Sequence, residues 1–235
     1  GTYSILLDLS VGYDFSMFDL GYQIPICWQP DRPSRLCLVS RASCEVKWIE
    51  IDQCFIQHVV NAYDTDKGII LDVVRYPSYF KRKEQGFEEN PLGVLWRYEI
   101  NTEILSVTET QLDDLHIELP RINEILTGQQ SRCCYALEQP KANEMRGIVS
   151  YNLHTNARIR YSVEPGDQNG EPVFVPRENA QDEQDGYLLV CVYRKNLDVS
   201  ELRILDAGHI AGEPIAIIHP EHRIPAGFHG AWLAD

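Results

Sequence analysis

A repeat constrains this chain more than any other feature. WIEID (48–52), RYEINTE (97–103) and SYNLHTN (150–156) share one pattern: apolar, polar, apolar, then Asp, Asn or His opening a turn. ILDAGH (204–209) is a looser fourth copy, and aligning Ile49, Tyr98, Tyr151 and Leu205 gives steps of 49, 53 and 54 residues. Further strands follow the copies, as in ILSVTET and ARIRYSVE, with Asn, Asp, Thr and Gly where hairpin turns want them. A period near 50 residues built from about four strands is the signature of a β-propeller blade. Four such units fit in 235 residues, whereas closed rings of long repeats favour roughly six or seven blades. The expected fold is all-β, with about four blades present and the whole of 1–235 forming part of a single propeller domain. The chain opens at Gly1 without a methionine, as a processed chain or a fragment does.

Local sequence supports strands. YSILLDL (3–9), GIILDVV (68–74), GVLWRYEI (93–100), GIVSYNL (147–153) and GYLLVCVY (186–193) are short and rich in Val, Ile, Leu, Tyr and Trp. The helical candidates are two short pieces, Leu112–Leu115 and Arg121–Leu126. No run approaches the ~18 consecutive apolar residues of a membrane span, and no signal peptide opens the chain. Net charge is −14, which repels phosphate backbones and argues against nucleic acid as a partner. The seven cysteines include no CxxC pair; Cys54 and Cys191 lie in apolar runs, and the count is odd. A reducing, cytoplasmic setting without a disulfide framework is expected.

QHVVNAY (57–63) reads as a strand in which alternation places His58, Val60 and Ala62 on one face. That strand opens a unit. Its equivalents contain HIELPRIN (116–123), GEPVFVP (170–176) and AGFHGAW (226–232), whose polar residues are Glu118, Glu171 and His229. From His58 the steps are 60, 53 and 58 residues. The innermost strands of a propeller line its axis, so four residues in phase with the blades converge there. Two imidazoles and two carboxylates suit a divalent transition metal, with each glutamate either a ligand or the acceptor for a ligating histidine's second N–H. Spacing alone leaves those two roles open. It also leaves a structural reading, in which the glutamates cap loops and His229 is a turn residue. His116, His154, His209, His219 and His222 fall outside the phase, in turns or beside prolines, and read as surface or loop residues.

FIQHVVNAYD, IELPRIN, GEPVFVPR and the terminal HRIPAGFHGAW resemble the motifs of the carotenoid cleavage oxygenases, in that family's order and over nearly the whole chain. The family includes apocarotenoid oxygenases and lignostilbene dioxygenases. The resemblance implies a seven-bladed propeller with one non-haem Fe(II) on its axis, held by four histidines. His58 and His229 would be the third and fourth ligands, with Glu118 orienting His58 and Glu171 orienting His229. The first two ligands would lie upstream of Gly1, in an N-terminal half of the same protein. The implied reaction adds O2 across a conjugated C=C bond of a polyene or stilbenoid and yields two carbonyl products.

An apolar, aromatic substrate tunnel is also implied, with Phe55, Tyr63, Phe174, Phe228 and Trp232 as candidates near axial strands. Peripheral membrane contact around a tunnel mouth is a further possible feature. Two other readings stand beside the oxygenase: a propeller hydrolase or lactonase using Glu118 and Glu171 with Ca2+ or Zn2+, and a non-catalytic propeller fragment. Paired histidines favour a softer ion than Ca2+.

Overall fold

The computed structural model describes residues 1–84 and 86–233; Gln85, Ala234 and Asp235 of the expected 1–235 domain lie outside the described residues. Strand β1 (Tyr3–Asp8) is followed by a small hairpin of β2 (Val11–Tyr13) and β3 (Ile26–Trp28), then by β4 (Ser34–Ser40) and β5 (Val46–Ile51). β1, β4 and β5 pair antiparallel in that order and make the first blade. The next sheet runs through β6 (Phe55–Thr65), β7 (Gly68–Tyr76), β8 (Val94–Asn101), β9 (Ser106–Arg121), β10 (Cys133–Glu138), β11 (Ile148–Asn152) and β12 (Arg158–Tyr161). The last contains β13 (Gln168–Asn169), β14 (Val173–Pro176), β15 (Gly186–Arg194), β16 (Val199–Asp206) and β17 (Ala216–Ile218).

The seven-stranded sheet is two blades joined by one strand. β9 is 16 residues long; Ser106–Gln111 pairs with β8, and its far end pairs with β10. Buried Val74, Tyr76 and Leu95 from one side of β9 pack against Cys134, Ala136, Val149 and Tyr151 from the other, so the two halves lie face to face. A second core joins the first blade to β6–β8 through Leu36, Leu38, Ile49, Leu71 and Tyr98. A third joins β10–β12 to β15 and β16 through Tyr135, Leu137, Ile148, Leu188 and Val190. Apolar area on both faces of each middle blade supplies the dominant favourable term for stacking blades.

The repeat has a structural meaning. Ile49, Tyr98, Tyr151 and Leu205 all sit on the third main strand of a blade, and all are buried. The turns carry the left-handed conformations that Asn and Asp tolerate: Asn156 (φ 57°) between β11 and β12, and Asp198 (φ 52°) between β15 and β16. Gly68 has φ 136° at the β6–β7 turn, and a Cβ there would lie 2.0 Å from the Ile100 carbonyl oxygen.

Three local expectations differ from the structure. Leu112–Leu115 lies inside β9, because two leucines three apart are too short a pattern to separate helix from strand; the residues bulge out of the β8 ladder between its Gln111 and His116 pairs. Within Arg121–Leu126, Arg121 ends β9 and only Glu124–Leu126 forms a 3-10 turn, capped by the Asn123 side chain on Ile125 N–H. The segment 226–232 forms no strand; Gly227 and Gly230 interrupt it, and side chains rather than a neighbouring strand bond the Gly230 backbone. No helix among the described residues is long and apolar enough to cross a membrane.

Candidate metal centre

His58 sits between two β-bulges in β6. The ladder skips Gln57 and Val60, placing His58 opposite Val74 and Asn61 opposite Asp72. Directly opposed residues share a sheet face, so His58 shares its face with Asn61 rather than with Ala62, as simple alternation had it. A further bulge lies in β9, where Glu118 opposes Leu137 and Arg121 opposes Tyr135. Leu119 occupies this bulge with φ 50°, and its N–H turns back to Glu118 Oε2 at 2.6 Å. The bulges re-aim the side chains that matter.

These distortions bring Glu118 to His58, 60 residues away, with Nδ1 2.5 Å from Oε2. The other carboxylate oxygen accepts from the Tyr76 hydroxyl. Burial, then the Glu118 charge, pushes the Tyr76 phenol far above its ordinary range, and the same two causes raise Tyr79. Tyr76 therefore remains a donor, and Glu118, 2 % exposed, is a carboxylate with three donors around it. An ionised Glu118 only accepts, so a neutral His58 paired with it carries its proton on Nδ1 and leaves Nε2 as the nitrogen that can bind a metal.

A second pair mirrors the first. Glu171 lies between β13 and β14, which both pair with β15; the Gly170 N–H still donates to the Cys191 carbonyl oxygen of β15 at 2.7 Å, and Glu171 and Pro172 have no partner in the strand register. Its Oε1 is 3.2 Å from His229 Nδ1, and its Oε2 accepts the Gly230 N–H at 2.8 Å and Arg121 Nη1 at 2.9 Å. The His58 and His229 ring centres stand 5.3 Å apart with planes inclined at 73°. Both rings, Glu118, Tyr76, Tyr79 and Phe228 border one cavity of about 410 Å3.

This donor set fits part of a divalent metal site. With metal–nitrogen bonds of about 2.1 Å, two imidazoles in adjacent positions on one ion place their centres about 5 Å apart. Each ring has its Nδ1 beside a carboxylate, the arrangement that fixes the tautomer of a ligating histidine. Two imidazoles are what these residues supply: among the described residues, no group of three or more His, Cys, Asp or Glu side chains is placed to hold a metal ion.

Residues 1–234 match the family described as retinal pigment epithelial membrane protein. The chain belongs to that family. Among relatives of this retinal pigment epithelial membrane protein family member, a carotenoid cleavage oxygenase of Mycobacterium tuberculosis is 33 % identical over 223 residues, covering 89 % of this chain and 44 % of its own length. The apocarotenoid-15,15'-oxygenase of Synechocystis is 32 % identical over 214 residues, covering 87 % of this chain and 44 % of its own. A cobalt-substituted Synechocystis ACO structure superposes on the whole chain with TM-score 0.89 at 28 % identity, using 51 % of that structure. ACO is a β-propeller, and the four blades here are propeller blades of the same kind. The chain spans about half the length of the curated relatives it matches.

Of the five aromatic tunnel candidates, only Phe228 borders this family member's cavity. Phe55 stacks on Tyr79 at 4.7 Å, behind the wall. Tyr63 borders a separate cavity of about 290 Å3 with Tyr3 and Ala62. Phe174 stacks on Tyr135 in the core between the last two blades, and Trp232 is half exposed outside the cavity. Proximity to axial strands placed these four on the wall, but packing between blades claims Phe55 and Phe174. The residues that sequence reasoning missed are Tyr76, Tyr79 and Arg121. Arg121 had a signal, as the one cation in IELPRIN, three residues after Glu118.

Proposed function

We propose that this chain is the C-terminal part of a non-haem Fe(II) dioxygenase that cleaves a conjugated C=C bond of an apocarotenoid, or of a related stilbenoid. The observation that carries this reading is the pair of carboxylate-held histidines, His58–Glu118 and His229–Glu171, with rings 5.3 Å apart on one cavity. Two imidazoles with free Nε2 atoms suit Fe(II) better than a hard ion such as Ca2+. Membership of an oxygenase family and similarity to named carotenoid and apocarotenoid oxygenases support the substrate class. The remaining ligands would come from residues outside these 235, in a seven-bladed ring.

When bound, Fe(II) would supply O2 activation, and both oxygen atoms would end as the two carbonyl oxygens of the products. The chain's own residues have other tasks. Glu118 and Glu171 keep the Nδ1 protons, so that both imidazoles present Nε2. Tyr76, Tyr79, Leu119 and Phe228 offer aromatic and apolar surface to a polyene, while Tyr76 holds Glu118 in place.

Tyr13, Phe15, Phe18, Leu20 and Ile24 in and beside the β2–β3 hairpin are all more than half exposed, and Tyr13, Phe15 and Phe18 form a chain of ring contacts. Exposed aromatic and aliphatic side chains of this kind suit peripheral contact with a lipid surface.

Anaerobic Fe(II) titration of the full-length protein, followed by an oxygenase assay with an apocarotenal and a hydroxystilbene, tests the reading. One iron per chain, lost in His58→Ala and His229→Ala, and two carbonyl products labelled from 18O2 are expected. A folded protein that binds iron equally well in both variants would overturn it.

A further inference from the structure

The two histidine–carboxylate pairs are not held alike. Glu118 receives its donors from the strands beside it, and the His58 ring is 21 % exposed. His229 lies on a segment without ladder partners, and its ring is 58 % exposed. Few bonds therefore fix its orientation, and one residue makes several of them. Arg121 Nη1 donates to Glu171 Oε2 at 2.9 Å and to the Gly230 carbonyl oxygen at 2.9 Å. Its Nη2 donates to Glu124, which lies three residues along in the 3-10 turn. The guanidinium is 15 % exposed and the Glu171 carboxylate 4 %, so little water competes for these bonds.

We propose that Arg121 is a positioning residue: it fixes the Glu171 carboxylate and the Gly230 backbone so that His229 keeps its Nδ1–H on Glu171 and its Nε2 free for a metal. The inference rests on the reading of His229 as a ligand. The bulge in β9 makes it possible, because one strand end carries both Glu118, which faces His58, and Arg121, which reaches His229 through Glu171. The end of β9 thereby sets the relative placement of the two imidazoles. A lysine would keep the charge, but its single ammonium cannot reproduce the planar fork that spans a carboxylate, a carbonyl and Glu124.

The test uses the full-length protein with Arg121→Met, Arg121→Lys, His229→Ala and the Arg121→Met/His229→Ala double variant. The first readout is metal-free: nitrogen NMR of selectively labelled histidine rings, with His229 assigned by its loss in His229→Ala. The native His229 ring is expected to show one protonated Nδ1 and one bare Nε2. Arg121→Met is expected to average the two nitrogens of His229 and leave those of His58 unchanged. The second readout is Co(II) affinity and its visible spectrum. Arg121→Met is expected to weaken binding about 10–100-fold, the usual effect of removing a partner that orients a ligand. Arg121→Lys should recover part of that loss, and the double variant should bind no more weakly than His229→Ala alone.

Unchanged His229 ring signals in Arg121→Met overturn the proposal, as does an affinity loss that adds fully to that of His229→Ala. Should Arg121→Met fail to fold, Arg121→Gln, which likewise lacks the charged fork, decides by the same ring signals. A native protein that binds no Co(II) defeats the metal reading, while the ring signals still decide whether Arg121 positions His229.

Discussion

Tyr76 and Glu118 meet at the edge of the cavity, where the phenol donates to Oε1 while Oε2 stands 2.5 Å from His58 Nδ1. One carboxylate thus joins β6, β7 and β9, and its two oxygens do different work.

Tyr76→Phe removes one donor from a buried carboxylate and puts nothing in its place. A destabilisation of about 1–3 kcal/mol is expected, with a weaker hold on His58. The phenol is pushed far above its ordinary value near 10 by burial and then by Glu118, so it stays protonated and the loss should be constant between about pH 6 and 9. Urea unfolding of both proteins across that range measures it; an unchanged midpoint would show that Oε1 needs no partner.

Glu118→Gln keeps the shape and removes the charge that holds the Nδ1 proton. Metal affinity is expected to fall about 10–100-fold. Glu109→Gln is the matched control, since Glu109 lies on the same strand but bonds Arg75 and the Asp52 N–H. Competition with a metal-binding dye should separate the two variants. Equal affinities would mean that Glu118 does not act through His58.

Asp113 governs part of the acid sensitivity. Burial pushes its carboxyl up, but bonds from Arg158 and Tyr151 outweigh this and hold it below the usual value near 3.8. The unfolded chain therefore takes up this proton first as pH falls. The contribution is present above the ordinary carboxylate pKa and is lost as pH drops through the lowered folded value. In Asp113→Asn the fall in stability below about pH 4 should be shallower, as read by thermal midpoints at successive pH values.

Asn61 tests what the second bulge achieves. Its amide donates to the carbonyl oxygens of Leu126 and Gln129, and its Oδ1 accepts the N–H groups of Ala62 and Gly128. Asn61→Ala strands these groups at a buried position and is expected to cost about 2–3 kcal/mol. Hydrogen exchange at Gly128 should accelerate. An unaltered exchange rate would place the hold on this loop elsewhere.

The sequence by itself determined the strands, the blade repeat and the phase of four polar residues. Those follow from short-range physics: β-branched and aromatic runs, Asn and Asp at left-handed turns, and an apolar position returning about every 50 residues, as at Ile49, Tyr98, Tyr151 and Leu205. Where a strand carries a bulge, side chains no longer alternate, and no local pattern announces it. Tertiary pairing therefore decided that His58 shares a face with Asn61, that Leu119 turns its N–H onto Glu118, and that β9 serves two blades. It also decided which aromatics meet the cavity, because Phe174 and Tyr135, on different blades, fill the space between two consecutive blades. The reach of Arg121 to Glu171 and Gly230 spans 50 and 109 residues. Such contacts exist only once stacked blades have removed water from the groups that make them.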